Sequence, residues 1–257
     1  MGRWRVGLAM VAATAMIAVA VVTLHAQRVG SGQRPGGYQQ SYTGNVRYDG
    51  RFVFIRMSYP WSGRGAAFWS HDYPTGEYHF LKILAAVTNV TAHQEESSIM
   101  GFSDPELMKF PVAYLCEPGF WGMSDAEVVN LRAYLQKGGF LIFDDFRGRD
   151  WANVDLQFSR VFPEAKWVDL DQNHPIFHSF FEINSLDIIP QAYDQGRPIF
   201  RALFEDNDPT KRVMVIAAYN TDISEFWEWS GTGPRPIDET NEAYKLGVNY
   251  IIYGLTH

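Results

Sequence analysis

Hydrophobic and polar positions along the chain alternate between two rhythms, and the clearest stretch is Phe110 to Gly148. Val112 to Cys116 is an apolar run of strand length. Ser124-Asp-Ala-Glu127 follows as a capping box, in which the Ser124 hydroxyl and the Glu127 carboxylate satisfy the first free amides of a helix. Val128, Leu131, Tyr134 and Leu135 then recur at helical spacing, and Gly138-Gly139 supplies a left-handed stop. Phe140 to Phe143 is a second buried strand that ends in Asp144-Asp145. A helical crossover between two continuous apolar strands predicts a parallel, helix-covered sheet.

The same reading extends outward. Arg51 to Tyr59 is a strand with Phe52 and Phe54 inward, and a loop from Pro60 to Pro74 carries Trp61, Trp69, His71 and Asp72. Gly76 to Val87 is a helix with Tyr78, Leu81, Leu84 and Ala85 on its apolar face. Val90 to His93 is a short strand, and Asp104 to Leu107 is one helical turn opened by Pro. Trp151, Val154, Phe158 and Val161 mark a helix ended by Pro163; Trp167 to Leu170 is a strand. Pro175 opens a further helical turn after His174. Pro198 to Phe204 and Arg212 to Tyr219, joined by a polar turn, predict an antiparallel hairpin at one sheet edge. A last helix runs from about Asp238 to Thr256, with Gly247 and Gly254 on its apolar stripe. The fold class expected is α/β: one domain over residues 46–257, a mostly parallel doubly wound sheet flanked by helices, with an antiparallel edge hairpin.

The ends and the composition refine this picture. Arg3 and Arg5 precede an uncharged apolar run from Val6 to Leu24, with Ala26 before Gln27. This predicts a secretion signal over residues 1–26 or, since a run of about 19 residues could just span a bilayer, an uncleaved N-terminal anchor. Residues 27–45, rich in Gly, Gln and Ser, read as a flexible linker. The expected location is periplasmic or secreted, with membrane contact only through residues 1–26 if they stay attached. Loss of the leader takes the formal charge from −7 to −9, which disfavours nucleic acid and anionic membranes as partners. Cys116 is the only cysteine, so no internal disulfide staples the domain.

In open parallel sheets ligands bind beyond the carboxyl ends of the strands. Here those ends carry Tyr59 to Trp61, Glu117 to Trp121, Asp144 to Arg147, Asp171 to His174 and Asn220 to Asp222. Asp144 and Asp145 are adjacent on a strand and point to opposite sides. Either one caps a neighbouring helix, accepts amides or pairs with Arg147 or Arg149, or one meets His174 as a metal ligand or acid/base. His174 and His178 are four apart, but Pro175 between them makes His174 a helix-entry residue rather than half of a helical metal pair. Six tryptophans (Trp61, Trp69, Trp121, Trp151, Trp227 and Trp229) follow strand ends. They either pack loop on loop or line a groove for a sugar or peptide, with Glu117, Asp145 and Glu228 as acceptors.

Phe110-Pro with the strand after it, Leu135 to Asp145, Asn173-His-Pro-Ile176, Phe226-Trp-Glu228 and Leu246 to Thr256 together resemble the bacterial family catalogued as domain of unknown function 4159. The resemblance spans roughly Asn45 to the C-terminus and implies a class I glutamine-amidotransferase-like fold. Asp171 to Ile176 also resembles the trehalose-utilisation-like branch of that fold, which carries a histidine where this chain has Asp222. An amidotransferase of this fold uses a Cys on a tight strand-to-helix turn. Here that turn holds Asp144-Asp145-Phe146, and Cys116 is followed by Glu117-Pro118, so thiol chemistry is not expected. Members are often encoded beside MoxR-type ATPases and von Willebrand A-type proteins, which implies envelope partners. Two functions follow. One is a non-catalytic ligand-binding or envelope assembly module. The other is a hydrolase, carbohydrate-directed or metal-assisted, using Asp145, His174 and Asp222. The binding residues expected are Trp61, Glu117, Trp121, Asp144, Arg147, Trp227 and Glu228, and no resident cofactor or dedicated metal site is expected.

Overall fold

The structure is a computed structural model that describes residues 44–64, 66–187, 189 and 196–257. The expected signal or anchor, and the expected linker up to residue 43, lie outside the described residues. Among the described residues no helix is long and apolar enough to cross a membrane.

Seven described strands form a single sheet: β1 (Phe52–Met57), β2 (Ala92–Met100), β3 (Val112–Cys116), β4 (Phe140–Phe146), β5 (Val168–Asp169), β6 (Ile199–Phe204) and β7 (Val213–Tyr219), in the order β2-β1-β3-β4-β7-β6-β5. The first five in that order are mutually parallel, while β6 runs antiparallel to both β7 and β5. The expected hairpin of β6 and β7 is therefore present, with the two-residue β5 paired outside it.

Side chains alternate strictly between two cores, as period-two strands require. Phe52, Phe54, Tyr114, Phe140, Ile142 and Ile216 face one side. Three helices cover it: α1 (Thr75–Val87), α4 (Ile223–Glu228) and α5 (Ile237–Thr256). Val53, Ile55, Leu115, Leu141, Phe143 and Val215 face the other, under α2 (Asp125–Gln136) and α3 (Asp150–Val161). A strand sandwiched between two helix layers reads as a continuous apolar run, which is why β1, β3, β4 and β7 are visible in the sequence.

The local signals act as expected. Ser124 Oγ accepts the Glu127 amide and the Glu127 carboxylate accepts the Ser124 amide, 2.8 Å away. After α2, Gly138 turns left-handed (φ +113°) and the Gly139 amide reaches back to the Tyr134 carbonyl at 2.9 Å. Strand β2 differs from expectation, running through Met100 rather than stopping at His93. Its Gln94, Glu95 and Glu96 are exposed because it is an edge. Residues before β1 are tied to it: Asn45 Oδ1 accepts the Ile99 amide, and the Ser98 hydroxyl of β2 accepts the Val46 amide.

The two glycines on the stripe of α5 let that helix lie close against its neighbours. A Cβ on Gly247 would sit 2.5 Å from the Trp227 ring and 2.6 Å from Phe80; on Gly254 it would meet Phe140 at 2.7 Å. Gly247→Ala is accordingly expected to lower the unfolding free energy by about 1–3 kcal/mol in urea titrations. Gly122→Ala, where a Cβ meets nothing within 4 Å, is expected to stay within about 0.5 kcal/mol of the parent.

Candidate functional site

The carboxyl ends of β1, β3 and β4 and the loop after β1 enclose an acidic crevice. Its foundation is Arg56, a fully buried β1 residue. Arg56 Nε donates to Glu77 Oε1 of α1 at 2.5 Å, and Nη1 donates to the carbonyls of Trp69 and His71, each at 3.1 Å. The guanidinium also lies 4.8 Å from the centroid of the Tyr114 ring. Burial alone would pull the Arg56 pKa down, but Glu77 beside it leaves it above the ordinary value. One cation thus fastens the Pro60–Pro74 loop over the strand tips and delivers His71 and Asp72 there.

Adjacent strand tips bring the other groups. Cys116 is in register with Asp144, so Glu117 and Asp145 are the next residues on neighbouring strands. Both adopt left-handed backbone, φ +48° and +53°, as does Asp72 at +62°. Such conformations cost about 1–3 kcal/mol each in non-glycine residues and persist only where the surroundings impose them. Here the impositions are visible: the Tyr59 hydroxyl donates to the Glu117 carbonyl (2.7 Å), the Glu117 amide to the Asp144 carbonyl (3.0 Å), and the Gly76 amide to the Asp72 carbonyl (2.7 Å).

The crevice so built contains His71, Asp72, Glu117, Asp145 and Asp222. His71 Nδ1 and Glu117 Oε1 form an ion-pair contact. Asp72 accepts the Ser224 hydroxyl at 2.6 Å, and Asp222 accepts the Glu225 amide at 3.1 Å as the cap of α4. Burial, and then the negative charge of Asp145, push both Asp72 and Asp222 well above the usual carboxylate range. Three sets of side chains place potential metal-ligating atoms within 4.8 Å of one another: His71, Glu117 and Asp145; Asp72, Cys116 and Asp145; and Asp72, Glu225 and Glu228. Beside the acids stands an aromatic rim. The Phe68 ring lies 4.3 Å from Trp61, 4.1 Å from Phe120 and 5.5 Å from His71, and Phe120 is 47% exposed.

Of the residues singled out in the sequence, Glu117, Asp145 and Asp222 meet in this crevice, with Trp61 on its rim and Glu228 at its α4 side. Asp144 is fully buried and structural: it accepts the Tyr114 hydroxyl (2.6 Å) and the amides of Ile223 and Ser224 (3.0 and 2.9 Å), fixing the start of α4. Trp121 is buried among Phe102, Phe143 and Phe158, and Trp227 is stacked on Phe80 at 4.4 Å, so both belong to the cores. Arg147 is half-buried at the start of α3, its amide donating to Asp150.

His174 is not brought to Asp145 and Asp222. Its Nδ1 accepts the Ile176 amide, and its ring lies 5.7 Å from Phe204. Phe204 pairs with Val213 at the opening of β7, at the end of the sheet away from Asp145. The helix-entry reading of His174 is the one realised. His178 bonds Glu182 and the Gln172 carbonyl instead of sharing a ligand with His174.

The residues not assigned a role from sequence are His71, Asp72, Arg56 and Glu77. The adjacent His-Asp pair in a long loop after the first strand was the one local signal. Cys116 lies beneath the crevice, buried, with its Sγ 3.9 Å from Asp145. Burial, and then the Asp145 charge, push its thiol well above the ordinary value. It is neither a thiolate nor on an elbow.

Two outcomes test this electrostatic arrangement. Arg56→Met leaves Glu77 buried without its partner and is expected to cost about 3–5 kcal/mol of stability, with Arg56→Met/Glu77→Leu recovering most of it in a double-mutant cycle. In ring-proton NMR titrations His174 is expected to titrate below 6.5, because burial opposes its charge, and His178 above it, because the Gln172 carbonyl and Glu182 hold its proton. The stability held by neutral His174 is then present above its unfolded value and lost as pH falls through that range.

A search of curated proteins finds no match to this chain. A family model described as domain of unknown function (DUF4159) matches residues 51–255. That span takes in every described strand, every described helix but for the last residue of α5, and all of the crevice residues, and the chain belongs to the DUF4159 family.

Proposed function

We propose that the chain is an exported ligand-binding module. On this reading its crevice, between the acids at the strand tips and the Trp61–Phe68–Phe120 rim, receives a carbohydrate or peptide. A single observation carries the reading: oxygen acceptors and partly exposed rings converge at the strand tips while the one thiol lies sealed beneath them. Carboxylates of differing burial accept hydrogen bonds from hydroxyl or amino groups, and aromatic faces stack on the apolar faces of a sugar or side chain. The sheet order and the absence of a nucleophilic cysteine at the β4 turn support a glutamine-amidotransferase-like scaffold kept for recognition. The N-terminal apolar run supports export, and the family's association with MoxR-type ATPases and von Willebrand A-type proteins supports work within an envelope assembly.

A second reading has one observation in its favour. Asp145 lies close enough to Asp222 to raise its pKa, and two carboxylates in unlike environments can divide acid and base roles in hydrolysis. That hydrolase would use Asp145 and Asp222 without His174.

Tryptophan fluorescence and thermal-shift screening against oligosaccharides and short peptides separates these readings. Binders are expected whose affinity falls at least about tenfold, or about 1.4 kcal/mol, in Trp61→Ala and Glu117→Gln, while Cys116→Ala binds as the parent. Turnover of a hit by the parent but not by Asp145→Asn would establish the hydrolase instead. Glutaminase activity lost in Cys116→Ala would sink both.

A further inference from the structure

We propose that His71, Glu117 and Asp145 bind a divalent transition-metal cation, Zn2+ or Mn2+. This inference rests on the strand-tip crevice being the functional site, and it names the ion that the site would hold there. The three residues come from three separate segments: the loop after β1, the tip of β3 and the tip of β4. Their ligating atoms nevertheless lie within 4.8 Å of one another. Bonds of about 2.0–2.2 Å to nitrogen and oxygen put the ligands of one ion up to roughly 4.4 Å apart, so closure needs only small side-chain rotations. One imidazole with two carboxylates is a donor set for a borderline divalent ion rather than for Ca2+ or Mg2+, which take oxygen throughout.

A second observation separates this trio from acids gathered on a surface. Asp72, Asp145 and Asp222 are only 9%, 8% and 5% exposed. Asp72 is held by the Ser224 hydroxyl and Asp222 by the Glu225 amide, both uncharged donors. Arg56, the guanidinium beneath them, pairs through Nε with Glu77, and its Nη2 makes no hydrogen bond to any of the three. Buried carboxylates are ordinarily paired with cations or coordinated to metals, and a divalent ion bound by Asp145 would compensate its neighbours as well.

The other two trios suit an ion less. Asp72, Cys116 and Asp145 are all buried, which leaves an ion among them no open side toward the rim. In Asp72, Glu225 and Glu228, Glu225 is engaged by Arg235. By contrast, His71 and Glu117 are only half-buried, so an ion between them keeps open positions toward the aromatic rim, where an oxygen of the ligand can enter.

Isothermal titration of the chelator-treated full chain with ZnCl2 and MnCl2 at neutral pH tests this. One equivalent of ion is expected to bind, with His71→Ala, Glu117→Gln and Asp145→Asn each weakening it at least about tenfold. Asp155→Asn, an exposed acid of α3 outside the crevice, is expected to bind as the parent, and circular dichroism checks that each variant is folded. Should a variant unfold, the visible spectrum of Co2+ bound to the parent chain decides, since imidazole ligation in a four- or five-coordinate site gives strong absorption that six aqua ligands do not. The absence of saturable uptake, uptake indifferent to these substitutions, or an aqua-like Co2+ spectrum overturns the inference. A chain that binds a sugar or peptide without taking up metal overturns this inference alone. One that takes up metal and binds neither overturns only the ligand reading.

Discussion

Burying a guanidinium without exposure to water is tolerable only when a carboxylate and several acceptors surround it. In this chain that requirement organises one end of the sheet. Arg56 emerges from the second strand of the sheet, finds Glu77 on the first helix, and uses Nη1 to hold the carbonyls of Trp69 and His71. The loop between them is thereby pinned to the charge beneath it. His71, Asp72 and the aromatic rim therefore occupy fixed positions over the tips of β3 and β4. The gathering of these groups at the strand tips is thus a consequence of a single buried ion pair in the scaffold.

The tips themselves follow the same logic. Glu117 and Asp145 adopt left-handed backbone on adjacent strands, which turns each strand abruptly and aims its carboxylate into shared space. Asp144, one residue earlier, is consumed by the start of α4. Neighbouring aspartates of identical type thus divide into a structural residue and a crevice residue at an irregularity of β4: Phe143 and Phe146 on either side of them pack into the same core, so the pair between breaks the alternation of a regular strand.

Much of the fold was legible because its signals are local. The capping box at Ser124, the glycine stop at Gly138 and the apolar runs of β3, β4 and β7 each declare themselves within a few residues. Strand β2 was legible only at its start, since an edge strand carrying Gln94-Glu-Glu96 lacks the hydrophobic run of a central one. The six-residue helix α4 is too short to show a period. The crevice was half legible: topology alone gathers Glu117, Asp145 and Asp222. Arg56 and Glu77 look like ordinary polar positions until their burial is known, and their pairing spans 21 residues of sequence. Trp121 and Trp227 follow strand ends just as Trp61 does, and nothing nearby in sequence separates a core indole from a rim indole. His174 was drawn toward the crevice by its place after a strand, but the chain folds back over the sheet from there and carries it to the far end.

The outer strand β2 has a further consequence. Its Ile99 amide is met by Asn45, its Ser98 hydroxyl accepts the Val46 amide, and three consecutive polar or acidic side chains project from it. Such an edge offers poor purchase to a foreign strand and repels a second copy of itself. The opposite margin is only two residues long. Neither described border of the sheet therefore offers a long, open template for the addition of another strand.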